Sequence, residues 1–357
     1  MIVDAHIHTF PPLDGASGYE SAAKHAMMLQ NKVAGYWGRM VTNTLDEACK
    51  PLPGEDVSFR IGKYGRYYWT KGGRECWMQR FPLAMDTMEW PPERMIAYMD
   101  AVGVDVGVLQ SGYMEMNFCR DYFARCVEKW PDRFVSTVAI DFDARKSADH
   151  RADELAKLRY AVAEQYAKGV FQGFPKGQPF DEEVFDPLWR TLVELRLPHI
   201  FLMGWEPKAP FLESIRRLEN VQRKFPELQI VLGHLGGNVL PPSDPDHTDT
   251  VKVLRNVLRG PNTYFEAGYV MAFENKEAWG ADYEYPYPQH SRLLKEVYEE
   301  VGASRLIWGS DEPNNERACT YLQCLETVRM HCPFLSEEEK KQVLGLNAAR
   351  LYRIPTR

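Results

Sequence analysis

Val3-Asp4-Ala5-His6-Ile7-His8-Thr9 alternates apolar with polar residues, the period of a strand with one buried face. Working outward, short runs rich in β-branched residues recur at 104–109, 134–140, 169–174, 199–203, 230–233, 263–266 and 306–310. With residues 2–6 they make eight candidate strands. The stretches between them, 92–102, 117–129, 148–167, 187–197, 211–225, 250–258 and 291–301, repeat their apolar residues at helical spacing. Two of them open with proline near the first turn, where a missing N–H costs nothing. Eight strands alternating with helices predict an α/β fold, a closed (β/α)8 TIM-type barrel, with a doubly wound open sheet as the competing architecture.

Residues 10–90 break this rhythm. They separate the first strand from its helix by far more than the ~2–6 residues of a usual βα loop. The insert carries Tyr36, Trp37, Tyr64, Tyr67, Tyr68, Trp69, Trp77 and Trp90, interspersed with Arg39, Arg66, Arg74 and Arg80. Long loops on the C-terminal face of a barrel build lids and substrate pockets. One expectation is therefore an ordered cover whose aromatics and arginines receive a planar or anionic substrate. The other is a subdomain for oligomer contact, with its aromatics used in packing.

Composition narrows the partners. The chain of 357 residues has 50 acidic against 43 basic side chains and a formal net charge of -7, so it lacks a basic field for phosphate backbones. No apolar run approaches the ~20 residues that span a bilayer. A small-molecule substrate is expected, without nucleic acid or membrane. The seven cysteines (Cys49, Cys76, Cys119, Cys126, Cys319, Cys324, Cys332) are odd in number and contain no CxxC pair, which reads as a reduced protein. The opening residues lack a basic segment followed by an apolar stretch, and cytoplasm is the expected address.

Three segments carry chemistry. Strand alternation puts His6 and His8 on one face, where both imidazoles converge on one ion at the C-terminal end of the first strand, with Asp4 one step deeper. Two surface histidines are the bland alternative. In Leu306-Ile307-Trp308-Gly309-Ser310-Asp311-Glu312-Pro313 the carboxylate of Asp311 follows the eighth strand. Closure beside the first strand brings it to the histidines, a donor set for Zn²⁺ or Mn²⁺ with positions left open for water and substrate. A helix cap is the alternative for Asp311. In Ile230-Val231-Leu232-Gly233-His234-Leu235-Gly236-Gly237-Asn238, His234 ends strand six as a candidate general base, or else as a buried histidine satisfied by a carbonyl. Glu266 ends strand seven and either lines the cavity, orients a ligand histidine or makes a rim salt bridge. His25, His150, His247, His290 and His331 are expected in solvent, and His199 lies at the wrong end of its strand.

Together these segments resemble the amidohydrolase superfamily, in the branch of aminocarboxymuconate semialdehyde decarboxylase called amidohydrolase family 2. The resemblance also rests on Lys168-Gly169-Val170-Phe171-Gln172-Gly173, Phe185-Asp186-Pro187-Leu188-Trp189 and Asn347-Ala348-Ala349-Arg350-Leu351-Tyr352. It implies one barrel over residues 1–357 and one divalent ion on His6, His8 and Asp311. It further implies Asp311 as the main proton-transfer group, His234 as its catalytic companion, and a dimer or tetramer. Phe174, Met203, Trp205, Glu206 and Glu266 are expected to line the site.

The sequence departs from that family at Met203, where relatives place a further histidine ligand. A thioether is a poor ligand for Zn²⁺ or Mn²⁺. Water, substrate or a carboxylate such as Glu206 or Glu266 replaces the lost ligand, or the site works without metal as an acid–base hydrolase, or the barrel only binds a ligand. The preferred expectation is a metal-dependent hydrolase of a small, planar or aromatic, carboxylated substrate, using metal-activated water. The alternative is a non-oxidative decarboxylase of an aromatic or enol acid. Phosphoesterases of the polymerase-and-histidinol-phosphatase type share the opening motif but need more histidine and aspartate ligands at later strand ends than this chain offers.

Overall fold

The structure, a computed structural model, describes residues 1–37, 40–111, 116, 120–172, 178–202, 208–234, 247–268 and 284–356. After β1 (Val3–Ile7) come three insert strands, β2 (Arg60–Ile61), β3 (Arg66–Lys71) and β4 (Arg74–Gln79). The barrel resumes with β5 (Val106–Leu109), β6 (Phe134–Val138), β7 (Ala167–Gln172), β8 (His199–Phe201), β9 (Ile230–Leu232), β10 (Thr263–Ala267) and β11 (Leu306–Trp308). The eight barrel strands lie in the order β1-β5-β6-β7-β8-β9-β10-β11 and every pair is parallel. The (β/α)8 reading holds, and the open-sheet alternative fails where the last strand returns to the first. There the Asp311 N–H donates to the His6 carbonyl at 2.7 Å, and the His8 N–H donates to the Glu312 carbonyl at 2.8 Å.

Each predicted run is a strand, but several stop early. The run 306–310 ends its ladder at Trp308, and 230–233 ends at Leu232. Beyond those points the backbone turns: His234 and Asp311 both take left-handed conformations, with φ of 53° and 64°. Such angles are strained for residues other than glycine and persist only where the surroundings fix them.

Helices follow the predicted periodicity. The helix Pro92–Val102 has the expected bounds, with proline at its start and Gly103 in the left-handed conformation (φ 81°) at its end. Its Met95 and Met99 face the core. Helices Ala148–Glu164, Asp186–Leu195 and Pro288–Val301 likewise cover the outside of the sheet. His25 and His290, expected in solvent, are instead fully buried on helices. The Nδ1 of His25 lies 2.8 Å from the Gly15 carbonyl, and burial lowers His290 to about 4. No helix among the described residues is long and apolar enough to cross a membrane.

The barrel interior is a second apolar cluster, distinct from the layer under the helices. Val3, Ala5, Val108, Phe171, Ile200, Val231 and Ile307 from the strands pack with Ala348, Ala349, Leu351 and Tyr352. The chain after Ser336 is helical from Glu337 to Leu351, with a π-helical turn at Gln342–Leu346. Asn347 ties it down by donating to the carbonyls of Ala303 and Leu306 at 2.7 and 2.8 Å. This closing segment plugs the end of the barrel opposite the site.

The insert contains a helix, Ala22–Tyr36, and an antiparallel sheet, β2-β3-β4. It departs and returns at one place, because Phe10 and Trp90 exchange both backbone hydrogen bonds at 2.9 Å. An excursion whose ends are clamped together leaves the barrel geometry undisturbed. Tyr67, Trp69, Cys76 and Met78 alternate onto its buried face.

The seam between the first and last strands is built on Asp4, which is fully buried. Its Oδ1 accepts from the N–H groups of His6 (3.0 Å) and Ser310 (2.9 Å), and its Oδ2 from the hydroxyls of Ser310 (2.5 Å) and Tyr321 (2.9 Å). Burial pushes the carboxyl up to about 7, against the pull of these donors. A folded-state value above the unfolded one means that ionising Asp4 costs stability as pH rises from about 4 toward 7. Tyr321→Phe removes one donor from this carboxylate and is expected to lower unfolding free energy by about 1.5–3 kcal/mol. The loss in urea melts should be larger at pH 8 than at pH 5, since the ionised acceptor binds the hydroxyl more strongly. Equal stability of parent and variant at both pH values would show that the seam does not rest on Asp4.

Candidate metal centre and active site

β1 delivers both histidines to the cavity. The Nε2 atoms of His6 and His8 are 3.2 Å apart. Asp311 Oδ1 lies 2.9 Å from His8 Nε2 and 3.5 Å from His6 Nε2. The opposite ring nitrogens are occupied: His8 Nδ1 is 3.0 Å from the Gln110 carbonyl, and His6 Nδ1 is 3.0 and 2.9 Å from the two oxygens of Glu266. A carbonyl accepts only, so His8 Nδ1 carries the proton; with Glu266 ionised His6 Nδ1 does too, and each Nε2 presents a lone pair. Two lone pairs and a carboxylate oxygen then face one another across about 3 Å. Such an arrangement calls for a cation, and the donor set fits a divalent ion bound by nitrogen and oxygen.

His234 and Glu266 complete the cluster. The His234 ring stacks on His6 at 4.9 Å and 22°, with its Nε2 3.9 Å from Asp311 Oδ2. Its side chain is 12% exposed, against 3% for Asp311, 2% for His8 and none for His6. It therefore faces the open side, while the other three form the floor. The Glu266 Oε1 also accepts from the His234 N–H at 3.2 Å. This carboxylate backs His6 and fixes the turn that carries His234. It meets His6 at Nδ1, away from the corner where the Nε2 atoms and Asp311 converge, and with His6 and His234 it forms a second group that could hold an ion. Phe171 closes the floor edge-on, 5.1 Å from His6 and 6.1 Å from His8.

Gly309 permits this close approach. A Cβ there would lie 2.8 Å from the His6 Cβ and 3.2 Å from the Glu266 side chain. Only glycine lets the last strand come so near to the first without displacing a ligand.

Burial dominates the titration. It lowers His6 and His234 to about 4, even though the charge of Asp311 pulls both upward. It also depresses His8, although a protonated His8 would donate to Asp311. Burial pushes Asp311 up, but the hydrogen bond from a protonated His8 and the charges that the three imidazoles take up in acid outweigh it and hold the carboxylate well below its usual range. Glu266, buried with less compensation from His234, rises to about 7. At neutral pH the imidazoles are neutral and Asp311 is ionised.

The sequence-predicted residues His6, His8, His234, Glu266 and Asp311 thus meet in one cluster, and the rim salt bridge considered for Glu266 gives way to a buried contact with His6. Phe174, Met203, Trp205 and Glu206 lie outside the described residues. Sequence reasoning missed Gln110 and Asn314. The Gln110 side-chain amide donates to the Ala5 carbonyl at 2.6 Å, and the Gln110 backbone carbonyl faces His8 Nδ1. The Asn314 amide donates to Asp311 Oδ1 at 3.1 Å. Their only sequence signal is position: one follows the end of β5 and the other follows Asp311 by three residues.

The insert's arginines are mostly spent within the insert. Arg66 stacks on Trp77 at 4.0 Å, and Arg74 pairs with Asp46 at 3.2 Å. Arg80 alone of the described ones named above reaches the cluster, donating to Asn314 Oδ1 at 3.0 Å. Arg39 lies outside the described residues.

The fold has solved counterparts. An amidohydrolase from Burkholderia multivorans with bound zinc shares it at a TM-score of 0.59 and 18% identity, over 75% of this chain and 89% of that one. A probable 2-pyrone-4,6-dicarboxylic acid hydrolase from Acinetobacter baumannii gives 0.58 and 15%, over 74% and 90%. A 5-carboxyvanillate decarboxylase from Novosphingobium aromaticivorans, complexed with manganese and a nitrobenzoic acid, gives 0.51 and 18%, over 73% and 80%. At these identities the likeness establishes the architecture. No curated protein sequence matches the chain. The family model described as amidohydrolase matches residues 3–354. That span runs from the first barrel strand to the closing plug and leaves no barrel strand outside it, so the chain belongs to the amidohydrolase family and is one of its enzymes.

Proposed function

We propose that the chain is a metal-dependent hydrolase of a small, planar, carboxylated substrate, with water as the nucleophile. His6, His8 and Asp311 would hold a divalent ion, Zn²⁺ or Mn²⁺ by donor chemistry, and the zinc and manganese of the two structural counterparts support that choice. When bound, such an ion supplies Lewis acidity and eases deprotonation of water.

The observation that carries the reading is the placement of the Asp311 carboxylate: Oδ1 is engaged by His8 and Asn314, while Oδ2 lies 3.9 Å from His234 Nε2. Burial holds His6 and His234 at about 4, so neither is a cationic proton donor at pH 7 beside an ionised Asp311. Taking a proton from water needs acceptors, whereas protonating the carbon that bears a carboxylate needs a donor. Asp311 Oδ2 points toward His234 and away from the corner that Oδ1 shares with His8 and Asn314. That oxygen takes the proton of the attacking water. His234, on the open side, orients the substrate carbonyl and shares the developing charge. Glu266 keeps His6 in the tautomer that presents Nε2.

A second reading, release of CO₂ from an aromatic or enol acid on the same residues, draws support from the architecture shared with the 5-carboxyvanillate decarboxylase. The insert is read as the cover of this site, a reading supported by its root at the Phe10–Trp90 clamp beside the end of β1. The described cysteines are free and buried, which suits the reducing cytoplasm.

Turnover in H₂¹⁸O of a panel of lactones, amides and hydroxybenzoates separates the two chemistries. Hydrolysis puts one ¹⁸O into the product without CO₂, while CO₂ release without label would replace the first reading by the second. Protein purified with Zn²⁺ should carry one ion per chain. Asp311→Asn should lose that ion together with about 10²–10⁴-fold in kcat/KM, and full metal content with full activity in this variant would remove Asp311 from the site. Glu266→Gln should weaken Zn²⁺ binding roughly 10–100-fold in a chelator competition, and unchanged affinity would mean that another group sets the His6 tautomer.

A further inference from the structure

Among the described residues of the insert, Arg80 hydrogen-bonds Asn314 beside the site. Arg80 follows β4 and is 3% exposed. Its backbone N–H and that of Phe81 both donate to the Gly65 carbonyl, at 2.8 and 2.9 Å. Gly65 has a φ of +70°, and a Cβ there would lie 2.3 Å from the Phe81 carbonyl oxygen, so the turn that seats Arg80 admits only glycine. The guanidinium lies 4.8 Å from the Phe81 ring and 5.8 Å from the Tyr36 ring, which flank it within the insert.

From that seat Arg80 Nη1 donates to Asn314 Oδ1 at 3.0 Å, and Asn314 Nδ2 donates to Asp311 Oδ1 at 3.1 Å. Asn314 is 5% exposed, so this relay runs through the interior. A carboxamide has one accepting end and one donating end, and a guanidinium has only donors. Arg80 therefore dictates which way the amide points. Reversed, the Asn314 oxygen would meet the carboxylate oxygen, two acceptors in contact inside the protein. The oxygen so held is the one that also stands 2.9 Å from His8 Nε2.

We infer that Arg80 and Asn314 are positioning residues for Asp311: the insert sets the orientation of the carboxylate through the polarity of one amide, and thereby tunes how tightly the corner of His6, His8 and Asp311 grips its ion. The inference rests on the metal-site reading proposed above and adds to it a function for the insert, control of the ligand geometry through a contact between residues 234 apart in sequence. On this inference Arg80 acts on Asp311 through Asn314, so its effect on the carboxylate vanishes once the amide is gone.

The test uses the full chain and the metals alone. Zn²⁺ affinity is measured by competition with a chromogenic chelator, and the Co²⁺-loaded protein gives a visible absorption band sensitive to ligand geometry. Arg80→Met and Asn314→Ala are each expected to weaken Zn²⁺ binding roughly 10–100-fold and to shift the Co²⁺ band. Arg80→Lys, which restores a donor, should recover most of the affinity. The double variant should bind no more weakly than Asn314→Ala alone. Thermal unfolding is followed alongside, and if Arg80→Met does not fold, Asn314→Ala and Arg80→Lys carry the comparison. Parental affinity and an unchanged band in Asn314→Ala, or losses that add in the double variant, overturn the relay while leaving the metal site standing. A parent chain that binds neither Zn²⁺ nor Co²⁺ overturns both.

Discussion

Asp4 on the first strand and Ser310 after the last are 306 residues apart in sequence, yet the carboxylate of one is saturated by donors that include both the N–H and the hydroxyl of the other. A buried carboxylate without partners costs several kcal/mol. The barrel therefore has one register of closure in which this group is satisfied, and a slip by one residue would strand it. The same register puts the Asp311 N–H on the His6 carbonyl and brings the Asp311 side chain to His8. Donor geometry at the site is thus a by-product of the bond that shuts the barrel. The strained backbone at His234 and Asp311 is tolerated because the seam and Glu266 hold both turns in place.

The dry floor beneath the site follows from the same closure. Phe171 is edge-on to both histidines and the plug of Ala348, Ala349 and Tyr352 packs behind the strands, and among the described members of the cluster His234 is the most exposed. Burial keeps the imidazoles neutral, and Asp311, which accepts from the Asn314 amide, stays charged although Glu266 and Glu312 lie nearby. The division of labour between neighbouring side chains is set by their depth.

How much of this was legible in the sequence depended on the range of the interaction. The eight strands could be read because fully buried parallel strands are continuous apolar runs, and His6 with His8 because strand alternation is local. Asp311 could be placed because a closed barrel forces its last strand against its first. Strand ends were overextended at 134–140 and 306–310, where the chain stays apolar while its ladder has already stopped. His25 and His290 looked like surface residues because a polar ring on a helix is usually solvated. The insert's arginines suggested anion binding, but Arg66 and Arg74 are satisfied across their own hairpin or by Asp46, pairings that no period announces. Asn314 and Gln110 act by hydrogen bonds between segments far apart in sequence, and nothing local marks them.

The plug and the seam also fix an order of assembly. A ribosome delivers β1 first, with Asp4, His6 and His8 already exposed, and delivers Ser310, Asp311, Tyr321 and the 348–352 plug last. Until then the first strand has only β5 beside it, the cavity is open at both ends and the carboxylate of Asp311 has not reached the two histidines. Domains fold as units while the chain is still emerging, but here closure must wait for the segment after β11. Before that the barrel is a half-built cup, and the cluster of His6, His8 and Asp311 comes together in one step, as the last strand meets the first.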